Sequence, residues 1–213
     1  MPHLPQRPKD EEELQKREVI GTIRASRFVR ALARAKTSIN VETVYAIHKE
    51  IFKDAWPEIA GILRIEDLKI TGSHHRPPHY SEVPALMMGV NTELVKKLQM
   101  LRSVSGFAMD GKANQQELEM IQNILAVTAW AHHKITHIHP FRDGNGRTAR
   151  LLGNLILERY GLVGVSIKIE RENKNRYRTS LSQIDIMNDH EPLMNIIAEG
   201  IVDRYNGVPM RIV

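Results

Sequence analysis

Apolar residues recur at three- and four-residue spacing through most of this chain, and this period constrains its fold more than any other feature. In the segment VETVYAIHKEIF, Val44, Ile47 and Ile51 share one helical face, and Asn40 just before them is a suitable N-cap. The pattern predicts further helices over about 10–36, with a weak point at Gly21, and over about 85–103, 115–137, 146–160, 172–185 and 190–205. The chain is therefore expected to be mainly α-helical.

One segment departs from the helical period. Residues 56–84 are rich in β-branched residues and contain a Thr71, Gly72, Ser73 turn signal and a Pro77–Pro78 pair. This segment predicts one short β-hairpin in an otherwise helical protein of 213 residues. A chain of this length has room for one domain with a substantial core, built here from Leu, Ile, Val, Ala and Met because aromatic residues are only 5% of the total.

Charge and composition narrow the partners and the compartment. The net charge is +5, and much of the surplus lies near the N-terminus, where Arg24, Arg27, Arg30 and Arg34 share one helical face. We interpret that face as the solvated side of a packed helix, so nucleic acid is an unlikely partner. Cysteine is absent, which excludes disulfides and thiolate metal sites. No signal peptide or membrane span is predicted, and the expected location is cytoplasmic.

The stretch HPFRDGNGRTAR, from His139 to Arg150, holds the densest set of chemically active residues. Gly144 and Gly146 predict a turn that opens a helix, whose first N–H groups form a cradle for phosphate. Two arginines three residues apart, Arg147 and Arg150, offer charge-assisted hydrogen bonds to phosphate oxygens. Asp143 is suited to Mg²⁺, and His139 is a candidate general base. Together they favour a nucleoside triphosphate as the ligand.

This stretch resembles the motif HPFx[DE]GNGRxxR of the Fic domain family and matches every specified position. AHHKITHIHPF and RLLGNLILERYG resemble the helices on either side of that motif. GILRIEDLKITGSHHRPPHYSEVPALM resembles the family's flap hairpin, and RYRTSLSQID resembles the stretch beside the nucleotide base. The resemblance implies a helical bundle with a short β-hairpin flap. It divides the chain into an N-terminal tail and basic helix (1–37), a Fic catalytic domain (38–205) and a C-terminal tail (206–213).

The resemblance also implies a reaction, the transfer of AMP from ATP to a Ser, Thr or Tyr hydroxyl of a target protein with release of pyrophosphate. In that reaction His139 would be the base, Asp143 would hold Mg²⁺, and Arg147 and Arg150 would grip the distal phosphates. The anion hole would comprise Gly144, Asn145 and Gly146. Tyr177 and Asp185 would border the adenine pocket, and the target would pair with the flap residues Ile70, Thr71, Gly72, Ser73 and His74.

Many similar proteins carry an inhibitory glutamate in the pattern [ST]xxxE[GN]. The nearest candidates here, Glu42 and Glu199, each depart from that pattern at one end. A small antitoxin-like partner or self-association is the alternative means of restraint. Three other functions stay open: Doc-like phosphotransfer, which Gly146 disfavours because those similar proteins carry Lys there, removal of AMP, and a binding module with a vestigial site.

The remaining histidines are interpreted more simply. His133 and His137 are four residues apart, a spacing suited to zinc, but the sequence offers no evident third ligand. His132 is expected to be packed in the interior, and His74 and His75 to be solvated.

Overall fold

The computed structural model describes residues 6–73, 75–104, 114–167 and 172–207, and the protein within these ranges is built from α-helices. Seven helices are found there: α1 (Glu11–Arg34), α2 (Val41–Phe52), α3 (Val83–Gln99), α4 (Gln115–Ile138), α5 (Asn145–Arg159), α6 (Glu172–Met187) and α7 (Glu191–Gly207). Single turns of 3₁₀-helix lie at Pro57–Ile59 and Tyr80–Glu82. The mainly helical expectation is confirmed.

Short polar side chains fix where several helices begin. Asp10 accepts hydrogen bonds from the first-turn N–H groups of α1. Asn40 and Thr43 form a reciprocal capping box at α2, as do Asn114 and Glu117 at α4. Each cap satisfies N–H groups that have no partner within the helix. These starts agree with the sequence-based ones to within a residue.

Gly21 does not weaken α1, which runs through it without a break. A Cβ atom at this position would lie 1.9 Å from the Ile51 carbonyl oxygen. The glycine therefore lets α1 cross α2 at close range, and the apolar face of α1, with Ala25 and Val29 at its centre, joins the main core. Its basic face is partly paired within the molecule, since Arg24 contacts Glu50 and Asp54.

The core has two parts that meet along α4 and α5. One lies among α1 to α5, and the other lies among α4, α6 and α7 with Leu193 and Ile197 at its centre. Apart from Phe52, Phe141 and Trp130, the main core consists of the aliphatic residues and Met87 that composition predicted. Among the described residues, no helix combines the length and apolar character needed to cross a bilayer.

No β-strand occurs in the described part of residues 56–84, so the hairpin flap stays a prediction. The turn is present: the Ser73 N–H donates to the Ile70 carbonyl over 3.1 Å, with Gly72 at φ +69°. The segments before and after it run without strand pairing: the Glu66 and Pro78 carbonyls accept from the Arg64 side chain, and the Tyr80 N–H donates to Asp67. His74 lies outside the described residues.

Candidate active site

The loop that begins at His139 follows directly on the end of α4. His139 caps α4 in the left-handed conformation, with φ +52°, which turns the chain sharply into the loop. Its Nδ1 lies 3.2 Å from the Thr136 carbonyl oxygen. Because a carbonyl can only accept, Nδ1 carries the proton and Nε2 keeps its lone pair. Burial lowers the pKa of His139 despite the Thr136 contact, and the nearby Arg64 lowers it further, so the ring is a neutral base near pH 7.

The inner side of the loop is anchored in the core. Phe141 is fully buried, and Asn145 bonds to it in both directions, accepting from its N–H over 2.9 Å and donating to its carbonyl over 2.7 Å. The Asn145 side chain therefore orders the loop, and a part for its backbone N–H in an anion hole stays a prediction.

His48 of α2 supports the same loop from beneath. Its ring stacks on Phe141 with centroids 3.8 Å apart. Its Nδ1 accepts from the Gly61 N–H over 2.9 Å, so Nε2 is the protonated atom that donates to the Asp143 carbonyl over 3.0 Å. Burial lowers the pKa of His48 to about 4. The neutral ring thus fixes the backbone just before the phosphate cradle.

The two loop glycines are required for different reasons. Gly144 has φ +73°, and a Cβ there would lie 2.3 Å from the Phe52 ring. Its conformation and its packing both demand glycine. Gly146, in the first turn of α5, has open space around it, and the nearest atom to an added Cβ is the Arg150 guanidinium at 3.4 Å. Packing does not require glycine at 146, which leaves the backbone open to a ligand.

Arg64 joins this loop to the segment that contains the turn at 70–73. Its side chain is fully buried and donates to the carbonyl groups of His139 (2.8 Å), Glu66 (2.9 Å) and Pro78 (2.5 Å). The Arg64 N–H also donates to the Pro140 carbonyl over 2.9 Å. One guanidinium thus fixes the backbone of the candidate base and of the residues after the turn.

A cavity of about 910 Å³ opens in front of the loop. One wall holds His139, Gly146 and Arg150, and the opposite wall is α6. The predicted site residues that it brings together are Ile70, Gly72, Ser73, His139, Gly146, Arg150, Tyr177 and Asp185. The turn closes one end, where Arg178 of α6 donates to the Thr71 carbonyl over 3.1 Å.

Arg150 and Arg147 point in different directions despite their spacing. Arg150 lines the cavity and forms no ion pair with an acidic side chain among the described residues. Arg147 lies outside the cavity wall, bonded to Glu18 of α1 over 2.6 Å and placed over the Phe52 ring. The half-exposed carboxylate of Asp143 is 3.5 Å from Arg147. A grip on phosphate by Arg147 stays a prediction.

The far wall of the cavity contains the residues expected near the adenine. The Tyr177 hydroxyl lies 2.6 Å from Nε2 of His132, which is buried as expected. Burial raises the pKa of Tyr177 to about 12. The Asp185 carboxylate contacts the rings of His133 and His137.

Neither candidate inhibitory glutamate lies within ion-pair distance of Arg150. Glu42 is exposed in the first turn of α2, and Glu199 forms a two-pronged ion pair with Arg176 at 2.5 and 2.6 Å. An acidic residue from outside the motif, Glu18, does contact a motif arginine, Arg147. Sequence reasoning missed it, as it missed His48 and Arg64, because a residue of another helix carries no local signal of that contact.

Comparison with known proteins agrees with this geometry. A family model described as "Fic/DOC family" matches residues 38–157, more than half of the chain. The protein adenylyltransferase Fic of Nematostella vectensis is 30% identical over 196 residues, which cover 90% of this chain and 40% of the relative. The protein adenylyltransferase fic-1 of Caenorhabditis briggsae is 30% identical over 195 residues, covering 89% of this chain and 34% of the relative. This chain therefore spans less than half the length of these relatives.

Solved structures show the same fold. Fic-1 from C. elegans superposes with a TM-score of 0.68 at 25% identity, covering 94% of this chain and 53% of that one. A Fic domain containing signaling protein from Bacteroides thetaiotaomicron gives a TM-score of 0.63 at 25% identity, covering 87% of this chain and 68% of that one. By the match of the family model and the likeness to these proteins, the chain belongs to the Fic/DOC family.

Proposed function

We propose that this chain is a protein adenylyltransferase, which transfers AMP from ATP to a Ser, Thr or Tyr hydroxyl of a target protein. The names of its relatives support this reaction. The observation that carries it is the meeting, in one cavity, of a histidine with a free Nε2 lone pair, the open first turn of α5 and Arg150, which pairs with no acidic side chain in the described part of the chain.

In this reaction the target hydroxyl attacks the α-phosphorus of ATP. The new oxygen–phosphorus bond forms as the bond to the leaving pyrophosphate breaks, and His139 Nε2 takes the hydroxyl proton. The N–H groups in the first turn of α5 face developing negative charge on the phosphate oxygens, and Arg150 binds the distal phosphates. The cavity of about 910 Å³ is large enough for a nucleotide.

Asp143 is the residue that would hold Mg²⁺. Its carboxylate is half exposed beside the cradle, which fits a cation that is bound by one or two carboxylates and completed by water and phosphates. When bound, Mg²⁺ neutralises charge on the phosphates. The flap role is part of the same proposal: a target segment would pair with the backbone near residues 70–73.

Gly146 favours AMP transfer over Doc-like phosphotransfer, because the similar Doc-like proteins carry Lys at this position. Removal of AMP is less well supported, since neither Glu42 nor Glu199 lies near Arg150. A vestigial site is disfavoured because the side chains of Asn145, His48 and Arg64 hold the loop backbone in place.

The test compares the wild type with His139→Ala, given Mg²⁺, candidate target proteins and ATP labelled at the α-phosphate. We expect labelled protein with the wild type and a loss of at least about 100-fold with the variant. His79→Ala is the matched control, since His79 is exposed and does not line the cavity. Intact-mass measurement distinguishes added AMP from added phosphate. Label from the γ-phosphate instead, or equal labelling by His139→Ala, would contradict the proposal.

A further inference from the structure

Three histidines surround one carboxylate, Asp185, in the wall of the cavity where the sequence predicts the adenine. His133 Nε2 lies 2.8 Å and His137 Nδ1 lies 2.6 Å from the same oxygen of Asp185, Oδ1. His75 Nδ1 lies 3.7 Å from the other oxygen, Oδ2. The group unites three elements: the segment after the turn, α4 and α6.

In its observed orientation, the His75 ring directs Nδ1 toward Asp185. Its Nε2 lies 2.8 Å from the His137 carbonyl oxygen, which can only accept, so Nε2 carries a proton. In the neutral ring, Nδ1 then has a lone pair that faces a carboxylate oxygen, which also has only lone pairs. Two such atoms facing each other at 3.7 Å repel unless a cation, a water molecule or a second proton on the ring lies between them. Histidines that bind metals commonly donate their other N–H to a backbone carbonyl in this way.

The donor atoms are close enough to share one ion. One ligand atom each from His75, His137 and Asp185 lie within 4.8 Å of one another. Ligands about 2.0–2.2 Å from a tetrahedral zinc ion are about 3.4 Å apart, so side-chain movements of up to about 1.4 Å close the site. His75 lies outside any helix, and this location allows that movement.

His133 holds Asp185 in position for this role. It is 6% exposed, and it donates to Asp185 from the turn of α4 that precedes His137. The hydrogen bond from His133 therefore orients the carboxylate. Two imidazoles and a carboxylate suit Zn²⁺, Co²⁺ or Ni²⁺ rather than Mg²⁺, which prefers oxygen ligands.

We propose that His75, His137 and Asp185 bind one divalent transition-metal ion of the zinc class, with His133 orienting Asp185. The ion joins the segment after the turn to α4 and α6 and so fixes the shape of the cavity wall. Three protein ligands leave a fourth position for water. The site is separate from Asp143, and the inference does not depend on the proposed adenylyl transfer.

The test titrates Co²⁺ into the untagged protein, because Co²⁺ in a tetrahedral site absorbs visible light strongly and reports its own ligands. We expect saturation at one ion per chain, with affinity at least about 100-fold weaker in His75→Ala and Asp185→Asn. His79→Ala is the matched control, since His79 pairs with Asp67 in the same segment at 3.5 Å without a third ligand. Zn²⁺ should displace Co²⁺, and excess Mg²⁺ should not.

The melting temperature is a second measurement, which still tests the proposal if one variant folds poorly. Zn²⁺ should raise the melting temperature of the wild type and of His79→Ala by mass action, and should leave that of His75→Ala unchanged. His75 lies outside the helices, so His75→Ala can still be measured if Asp185→Asn unfolds. Absence of one-to-one binding, or equal binding by His75→Ala, would overturn the metal site and leave a protonated His75 or a water molecule between it and Asp185 as the explanation of the geometry.

Discussion

The inner and outer sides of the loop from His139 to Arg150 differ in how their polar groups are satisfied. On the inner side, Asn145, His48 and Arg64 bond to the loop backbone, and the aromatic ring of Phe141 is fully enclosed. On the outer side, His139 Nε2 and the Arg150 guanidinium face a cavity. The inner side supplies rigidity, and the outer side presents polar groups to the cavity, where a ligand can reach them.

This difference separates two effects of substitution. Changes on the inner side should lower the free energy of unfolding and reduce activity as a consequence. Changes on the outer side should leave stability nearly unchanged and reduce activity directly, because preorganised groups act on the substrate only when their support is intact. Substitutions at four positions test this division: Gly144, Arg64, His48 and Gly146.

Gly144→Ala should have the largest effect on stability. The new Cβ would overlap the Phe52 ring, and an L-residue at φ +73° is strained. We expect the free energy of unfolding to fall by about 4 kcal/mol or more, measured by urea denaturation. A loss below about 1 kcal/mol would show that the inner side yields more readily than its packing indicates.

Arg64→Met should cost about 3 kcal/mol, because it leaves the carbonyl groups of His139, Glu66 and Pro78 without their charged donor. Protein labelling should fall together with stability, as the backbone of His139 loses its support. Arg142→Met is the control, since Arg142 is half exposed and pairs with Glu66 at the surface. Equal effects of the two variants on urea denaturation would refute a special role for Arg64.

His48 should make the protein sensitive to acid. Its pKa in the folded state, about 4, lies below the value of about 6.5 expected when unfolded. The unfolded chain therefore takes up the proton first, and the stabilisation present above pH 6.5 is lost as pH falls toward 4. Between pH 7.5 and pH 5 this amounts to about 2 kcal/mol.

The measurement compares denaturation of the wild type and His48→Gln at both pH values. The variant begins less stable because it loses the ring stacked on Phe141, but its free energy of unfolding should decline less with acid. The difference between the two decreases in the free energy of unfolding gives the contribution of His48, separate from that of the other buried histidines. Parallel declines would contradict the prediction.

Gly146→Ala should have the smallest effect on stability, within about 0.5 kcal/mol of the wild type, since its surroundings have room for a methyl group. The methyl group would project beside Arg150, so nucleotide binding should weaken by about 10-fold, or about 1.4 kcal/mol. Gly89→Ala is the matched control, a helical glycine with nothing within 4 Å of an added Cβ. Calorimetric titration with ATP should distinguish the two, and unchanged binding in Gly146→Ala would place the nucleotide elsewhere.

Much of the fold was predictable because its signals are local. The helical period and the caps at Asn40 and Asn114 are written in neighbouring residues, and the observed helices begin and end within about four residues of the expected positions. The segment around residues 70–73 was harder to predict. Its β-branched residues favour strands, but the chain that follows it is held at Pro78 and Tyr80 by the side chains of Arg64 and Asp67. Such contacts between distant positions leave no periodic pattern.

The candidate site divides in the same way. The order of residues from His139 to Arg150 alone placed a base, a carboxylate, a helix start and two arginines within a few turns, since spacing along a helix fixes what lies nearby. The tertiary structure decided which groups face the cavity, because α1 brings Glu18 to Arg147 while Arg150 faces α6. It also added His75 and Asp185 to the pair His133 and His137. A third ligand supplied by packing cannot be read from the spacing of the first two.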